Sequence, residues 1–221
     1  MMSEALKRAK AQVVRACKII SGNGYVLGTA GNVSSIVEGE NLFVITPSSY
    51  PYQIMEEKDL VVADLDGNIV EGDKKPSIEF TMHRGIYLER RDVKAIVHSH
   101  SPYATTAASV EGITHIPAVD IEAAFGLGGD MEIAGFAPPG SPELAEFARQ
   151  AIGEKGGVLL ANHGAIGVGK NMDEALLASD NIERNCRMFL NIISVGKVKP
   201  MPADFMEFSS SIFKEVSGIS K

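Results

Sequence analysis

The stretch VKAIVHSHSPYATT, Val93 to Thr106, decides how the chain is read. Ala95, Ile96 and Val97 form an apolar run of strand type, and it ends in two imidazoles one residue apart, His98 and His100. Side chains at i and i+2 of a strand project from the same face, so the pair stands about 7 Å apart along the backbone. Two imidazoles at that spacing can chelate one ion. They can equally be hydrogen-bonded strand-end histidines, and the pair alone does not choose between these readings.

Working outward, His163 ends another buried run, GVLLANHG, before what reads as a glycine-rich turn, NHGAIGVG. Three of the five histidines thus fall at strand ends, where sites gather in sheet proteins. Three neutral imidazoles with one open or labile position are the ligand set of catalytic zinc, whereas a structural site is closed and usually built from thiolates. Glu79 is a fourth candidate. On its own it reads as an acid that complements the dipole of a helix N-terminus. His83, four residues further on, reads as packing or support.

The flanking segments set the fold class. Leu6, Ala9, Val13, Ala16, Cys17 and Ile20 recur at helical spacing, and Gly22 and Gly24 supply a stop. A hairpin is expected from Val33–Val37 and Leu42–Thr46, and a second one around Asp66-Gly67. Asp64, Asp66 and Asn68 mimic a calcium loop, but Ile69 stands where glycine is needed and Lys75 where glutamate is needed. Calcium is therefore rejected. Ser77 is read as the cap of a helix with Ile78 and Glu79 in its first turn. Further helices are expected from Ser141-Pro142-Glu143 to Gly156-Gly157 and over Met172 to Val195. Early hairpins with helices between later strands predict an α+β fold, a mixed α/β/α three-layer sandwich. One domain over residues 1–221 is expected, with a core of about 5–195 and a helical tail at 200–221.

Bulk properties exclude whole classes of function. Net charge is −7 and the basic residues form no stripe, so no nucleic-acid partner is expected. The two cysteines, Cys17 and Cys186, give no disulfide framework, and a cytoplasmic location is the expectation. The charged N-terminal segment does not read as a signal peptide, and no apolar run approaches the roughly 18 residues of a membrane span. Gly31, Asn32, Ser48, Ser49 and Ser77 offer backbone N–H groups, an amide and hydroxyls that suit a small anion such as phosphate.

Taken in order, GTAGNVSS, ITPSSYPY, KPSIEFTMH, VKAIVHSHSPYATT, APPGSPELA and LLANHGAIGVG resemble the class II aldolase and adducin family over about residues 5–195, most of all its L-fuculose-1-phosphate aldolase branch. The resemblance implies a mainly antiparallel central sheet flanked by helices and a homotetramer with interfacial sites. It implies zinc-dependent retro-aldol cleavage of a ketose 1-phosphate to dihydroxyacetone phosphate and an aldehyde. His98, His100 and His163 would hold Zn2+, with Glu79 both a displaceable ligand and the acid/base. Imidazoles suit Mn2+, Co2+ or Fe2+ as well. Gly31, Asn32, Ser48, Ser49 and Ser77 would form the phosphate cradle.

This chain departs from the family's pattern in several places. The family has glycine at Ser49 and serine at Ile78. It also draws a tyrosine from the segment that here reads PAVDIEAAFG, and another near the C-terminus, whereas Tyr103 is the last tyrosine here. Asp120 lies near where the related L-ribulose-5-phosphate 4-epimerases carry an acid and is a candidate proton donor. An epimerase or dehydratase using the same metal is the near alternative, and a non-catalytic adducin-like module the distant one.

Overall fold

A computed structural model describes residues 2–219. The first helix, α1 (Glu4–Gly22), buries all six residues of its predicted stripe. Its start is fixed by Ser3, whose hydroxyl accepts the Leu6 N–H at 3.1 Å. Four strands then meander: β1 (Asn32–Ile36), β2 (Leu42–Ile45), β3 (Val61–Asp64) and β4 (Ile69–Glu71). Both expected hairpins form. The Asp64 carboxylate accepts the Gly67 and Asn68 N–H groups, each at 2.8 Å, so the acid that mimics a calcium ligand holds a turn.

The remainder alternates: α2 (Phe80–Glu89), β5 (Ala95–Ser99), α3 (Pro102–Ala107), β6 (His115–Ile116), α4 (Ile121–Leu127), β7 (Met131–Ala134), α5 (Pro142–Ile152), β8 (Gly157–Leu160), β9 (Gly164–Gly169), α6 (Met172–Val195) and α7 (Ala203–Ser217). The strands join in one sheet in the order β4-β3-β2-β1-β5-β9-β8-β7-β6. Neighbours are antiparallel except β7 and β8. This is the mainly antiparallel sheet of the predicted fold class.

Strand β5 shows how the layers arise. Ile96 packs into the apolar cluster shared with α2 and α5, while Ala95 and Val97 pack into the cluster shared with α1 and α6. The period of two thus sends alternate residues to opposite faces, and helices cover both. A third cluster, including Leu127, Leu159, Ile182 and Phe189, extends the α6 side toward β7. Among the described residues no helix is long and apolar enough to cross a membrane. Cys17 and Cys186 are free and buried.

Three expectations are corrected. Helix α2 begins at Phe80 rather than inside Ser77–Glu79: the Ser77 carbonyl accepts the Phe80 N–H at 3.1 Å, a tight turn that leaves Glu79 at the cap position. Helix α5 ends at Ile152, not near Gly156-Gly157, because Gly157 already belongs to β8. The glycine-rich GAIGVG is a buried strand, β9, not a turn. Its glycines are needed for close approach: a Cβ on Gly167 would stand 2.6 Å from Ser179 Oγ and 2.9 Å from its backbone nitrogen, so a side chain would push α6 off the sheet.

Candidate metal centre and active site

Antiparallel pairing assembles the centre. Ser99 of β5 faces Ala165 of β9, so the C-terminal end of one strand lies beside the N-terminal end of the other. His98 and His100 therefore meet His163, which sits in the β8–β9 corner. The three ring centroids are 4.8–4.9 Å apart pairwise. One ring nitrogen from each lies within 4.8 Å of the others. His98 Nδ1 donates to the Ala165 carbonyl at 3.0 Å, which leaves Nε2 with its lone pair toward the centre. Glu79 arrives from the start of α2: its Oε2 is 3.1 Å from His98 Nε2 and its Oε1 3.4 Å from His163 Nε2. Oε1 is buried and has no hydrogen-bond partner.

Burial shapes the charge of the group. It pushes His100 and His163 down to about 4, with the charge of His98 adding to the effect on both, so each ring is neutral at neutral pH and offers one nitrogen free of hydrogen. Burial also opposes charge on His98, but the charge and hydrogen bond of Glu79, with the Ala165 carbonyl, outweigh it and raise the ring above its ordinary value. For Glu79, burial favours the neutral acid. The charge and hydrogen bond of His98, the Asn32 amide and His163 prevail, holding the carboxyl well below the ordinary carboxylate range. His98 and Glu79 thus each favour the charged form of the other, an interaction that a bound cation would replace.

A pocket of about 270 Å³ opens beside this group, and Gly31, Asn32, Ser48, Ser49, Ser77, Glu79, His100 and His163 all line it. Gly31 holds φ at +77°, and a Cβ there would stand 2.6 Å from the His98 carbonyl oxygen, so the loop can press against β5 only as glycine. Ser49 holds φ at +55°, a left-handed conformation that favours glycine, the residue the resemblance implies at this position. Ser77 Oγ accepts the Glu79 N–H at 3.2 Å. Ile78, where the resemblance implies serine, is 61% exposed at the pocket. Pro139, from the loop before α5, lines the pocket too and was not picked out from sequence, although it lies within the APPGSP motif.

Asn32 and Asp120 are each held by neighbours within the chain. The Asn32 side chain serves Glu79 more than an anion: Nδ2 donates to Glu79 Oε2 at 2.7 Å and Oδ1 meets His83 Nε2 at 2.5 Å. Asp120 does not line the pocket. It caps α4, accepting the Ala123 N–H at 3.0 Å, and pairs with Arg184. His83, read as packing or support, is fully buried behind Asn32 and stands outside the ligand cluster.

A family model described as the class II aldolase and adducin N-terminal domain matches residues 11–190. A 5-deoxy-D-ribulose 1-phosphate aldolase from Bacillus thuringiensis serovar kurstaki is 35% identical over 91% of this chain and 93% of its own length. An L-fuculose phosphate aldolase from Escherichia coli K12 is 31% identical over 87% of each. A solved L-fuculose 1-phosphate aldolase superposes with a TM-score of 0.89 at 32% identity, covering 97% of this chain and 98% of that one.

Proposed function

The chain belongs to the class II aldolase and adducin family, and on that premise we propose that it is a metal-dependent aldolase cleaving a short ketose 1-phosphate into dihydroxyacetone phosphate and an aldehyde. Its named relatives are aldolases acting on phosphosugars, which leaves little room for the scaffold reading. The observation that carries the proposal is the convergence of three imidazoles and an unpartnered carboxylate oxygen beside a small polar pocket.

The donor set fits a divalent cation. His98, His100 and His163 would hold it as neutral ligands, and Glu79 Oε1 is the buried oxygen that such an ion would satisfy. Zinc suits three imidazoles and a carboxylate best, although manganese, cobalt or iron would also bind. A cation bound there supplies Lewis-acid stabilisation of the negative charge that develops on the sugar's oxygens when the carbon–carbon bond breaks.

The chain's own residues do the rest. Glu79, an anion at rest, takes the hydroxyl proton at the carbon that becomes the aldehyde and returns a proton to the other fragment. Ser77 accepts the Glu79 N–H and keeps its own hydrogen for a phosphate oxygen. Ser48, Ser49 and the loop at Gly31 complete the cradle. With Ile78 where the resemblance implies serine and Ser49 where it implies glycine, the cradle keeps its number of hydroxyls and moves one of them. We also take the chain to assemble into a homotetramer, in keeping with the family resemblance. Leu27 and Phe136 are 89% and 62% exposed, as expected of surface that another subunit covers.

The relatives' substrates share a C1 phosphate and a deoxygenated far end, so the test panel is 5-deoxy-D-ribulose 1-phosphate, 5-methylthioribulose 1-phosphate and L-fuculose 1-phosphate. Purified protein should release dihydroxyacetone phosphate from at least one, and a chelator should abolish that release. Release that survives metal removal would refute the metal mechanism. Conversion to an epimer without cleavage would move the assignment to the epimerases.

A further inference from the structure

Glu79 and four buried side chains behind it stand in one line of hydrogen bonds. Tyr87 hydroxyl is 2.7 Å from Ser34 Oγ, Ser34 Oγ 2.6 Å from His83 Nδ1, His83 Nε2 2.5 Å from Asn32 Oδ1, and Asn32 Nδ2 2.7 Å from Glu79 Oε2. All five are at most 3% exposed, and Ser34 and His83 are wholly enclosed. The proposed chemistry makes no use of Ser34, His83 or Tyr87. An aliphatic side chain at this wholly buried position would carry less desolvation cost, so burial alone does not call for an imidazole.

The hydrogens in this line can each be placed. A carboxylate only accepts, so the Asn32 amide turns its NH2 to Glu79 and its carbonyl to His83. His83 must then donate from Nε2. Burial pushes this ring down to about 3, so it is neutral and carries one hydrogen. Its Nδ1 is therefore bare and accepts from the Ser34 hydroxyl, whose oxygen accepts in turn from Tyr87. Every hydrogen runs toward Glu79, and the chain of dipoles ends on its charge.

We infer that His83, locked in its Nε2–H tautomer by Ser34 and Tyr87, is a positioning residue that fixes the Asn32 amide, so that Glu79 Oε2 is held between Asn32 Nδ2 and His98 Nε2 while Oε1 is left without a hydrogen-bond partner. The inference rests on the aldolase reading only for the task that Glu79 performs; the tautomer is a property of the protein by itself.

Two measurements test it. Nitrogen-15 NMR of histidine-labelled, metal-free protein should show His83 protonated at Nε2 and bare at Nδ1. The Nδ1–H tautomer would overturn the inference. On whichever panel substrate is cleaved, His83→Leu should lower kcat about 10- to 100-fold with KM and metal content unchanged, and His83→Gln, which retains a donor toward Asn32, should restore most of it. Undiminished kcat in the leucine variant, or a glutamine variant no better than leucine, would refute positioning. Should the leucine variant not fold, Ser34→Ala removes the donor that keeps Nδ1 bare. It should lower kcat severalfold at unchanged KM, and wild-type turnover there would count against the inference. If wild-type protein cleaves no panel member, the aldolase reading fails while the NMR result still decides the tautomer.

Discussion

Mild acid should destabilise the metal-free protein, and His83 should account for a measurable part of the loss. The ring ordinarily titrates at 6.5 and is pushed down to about 3 by burial in the folded chain. Between those values the unfolded chain binds a proton at position 83 and the folded chain does not, so stability falls as pH drops through 6.5 and goes on falling toward 3. The slope is about 1.4 kcal/mol per pH unit, which gives about 2 kcal/mol between pH 7.5 and pH 5. Against a total of about 5–15 kcal/mol for a domain, this is a large share.

Neighbouring rings act too. His100 and His163 shift in the same direction and add to the loss. His98 is raised and acts in reverse: its contribution is present below its unfolded value and is lost as pH rises through its folded one. Comparing wild type with His83→Gln cancels those terms. Urea unfolding with chelator at pH 7.5, 6.5, 5.5 and 5.0 should give a variant profile about 2 kcal/mol flatter than wild type. Parallel profiles would mean that the folded chain protonates His83 freely, and the reasoning would fail.

Glu79→Gln should lower kcat about 10²- to 10⁴-fold while elemental analysis still finds metal on the three histidines. Gly167→Ala places a methyl group 2.6 Å from Ser179 Oγ and should cost about 1–3 kcal/mol in denaturant unfolding. The control Gly196→Ala, at an extended position with nothing within 4 Å, should stay within about 0.5 kcal/mol. Ser49→Gly relieves a left-handed serine and should stabilise by up to about 1 kcal/mol, read as a rise in Tm of about 2–4 °C.

Much of this architecture can be read from sequence where the elements are long. Helix α6 spans Met172–Val195 as its spacing predicts, with Asn171 accepting the Glu174 N–H at its start. Helices α3 and α4 and strands β6 and β7 have two to seven residues, too few to show a period, and the reading passes over them. Strand β9 is misread because glycine marks both a turn and a close approach of backbones, and only the position of α6 separates the two. In the site, the i, i+2 spacing of His98 and His100 and the strand-end place of His163 are legible. Glu79 alone reads as a dipole partner, and it takes the family resemblance to give it a role. The line from Tyr87 to Glu79 is illegible, because Ser34 meets His83 and Tyr87 across 49 and 53 positions.

The pairing of β5 with β1 and β9 has a consequence for how the chain reaches its native state. Asn32 lies opposite His98, and Ala165 accepts the His98 ring N–H across 67 positions. The centre can therefore close only after two distant segments have been drawn onto β5, and such non-local closures are entropically slow and come late. An ion captured by the three imidazoles would act as a clasp on a nearly finished sheet: it would slow the opening of a folded chain without seeding the search that precedes it.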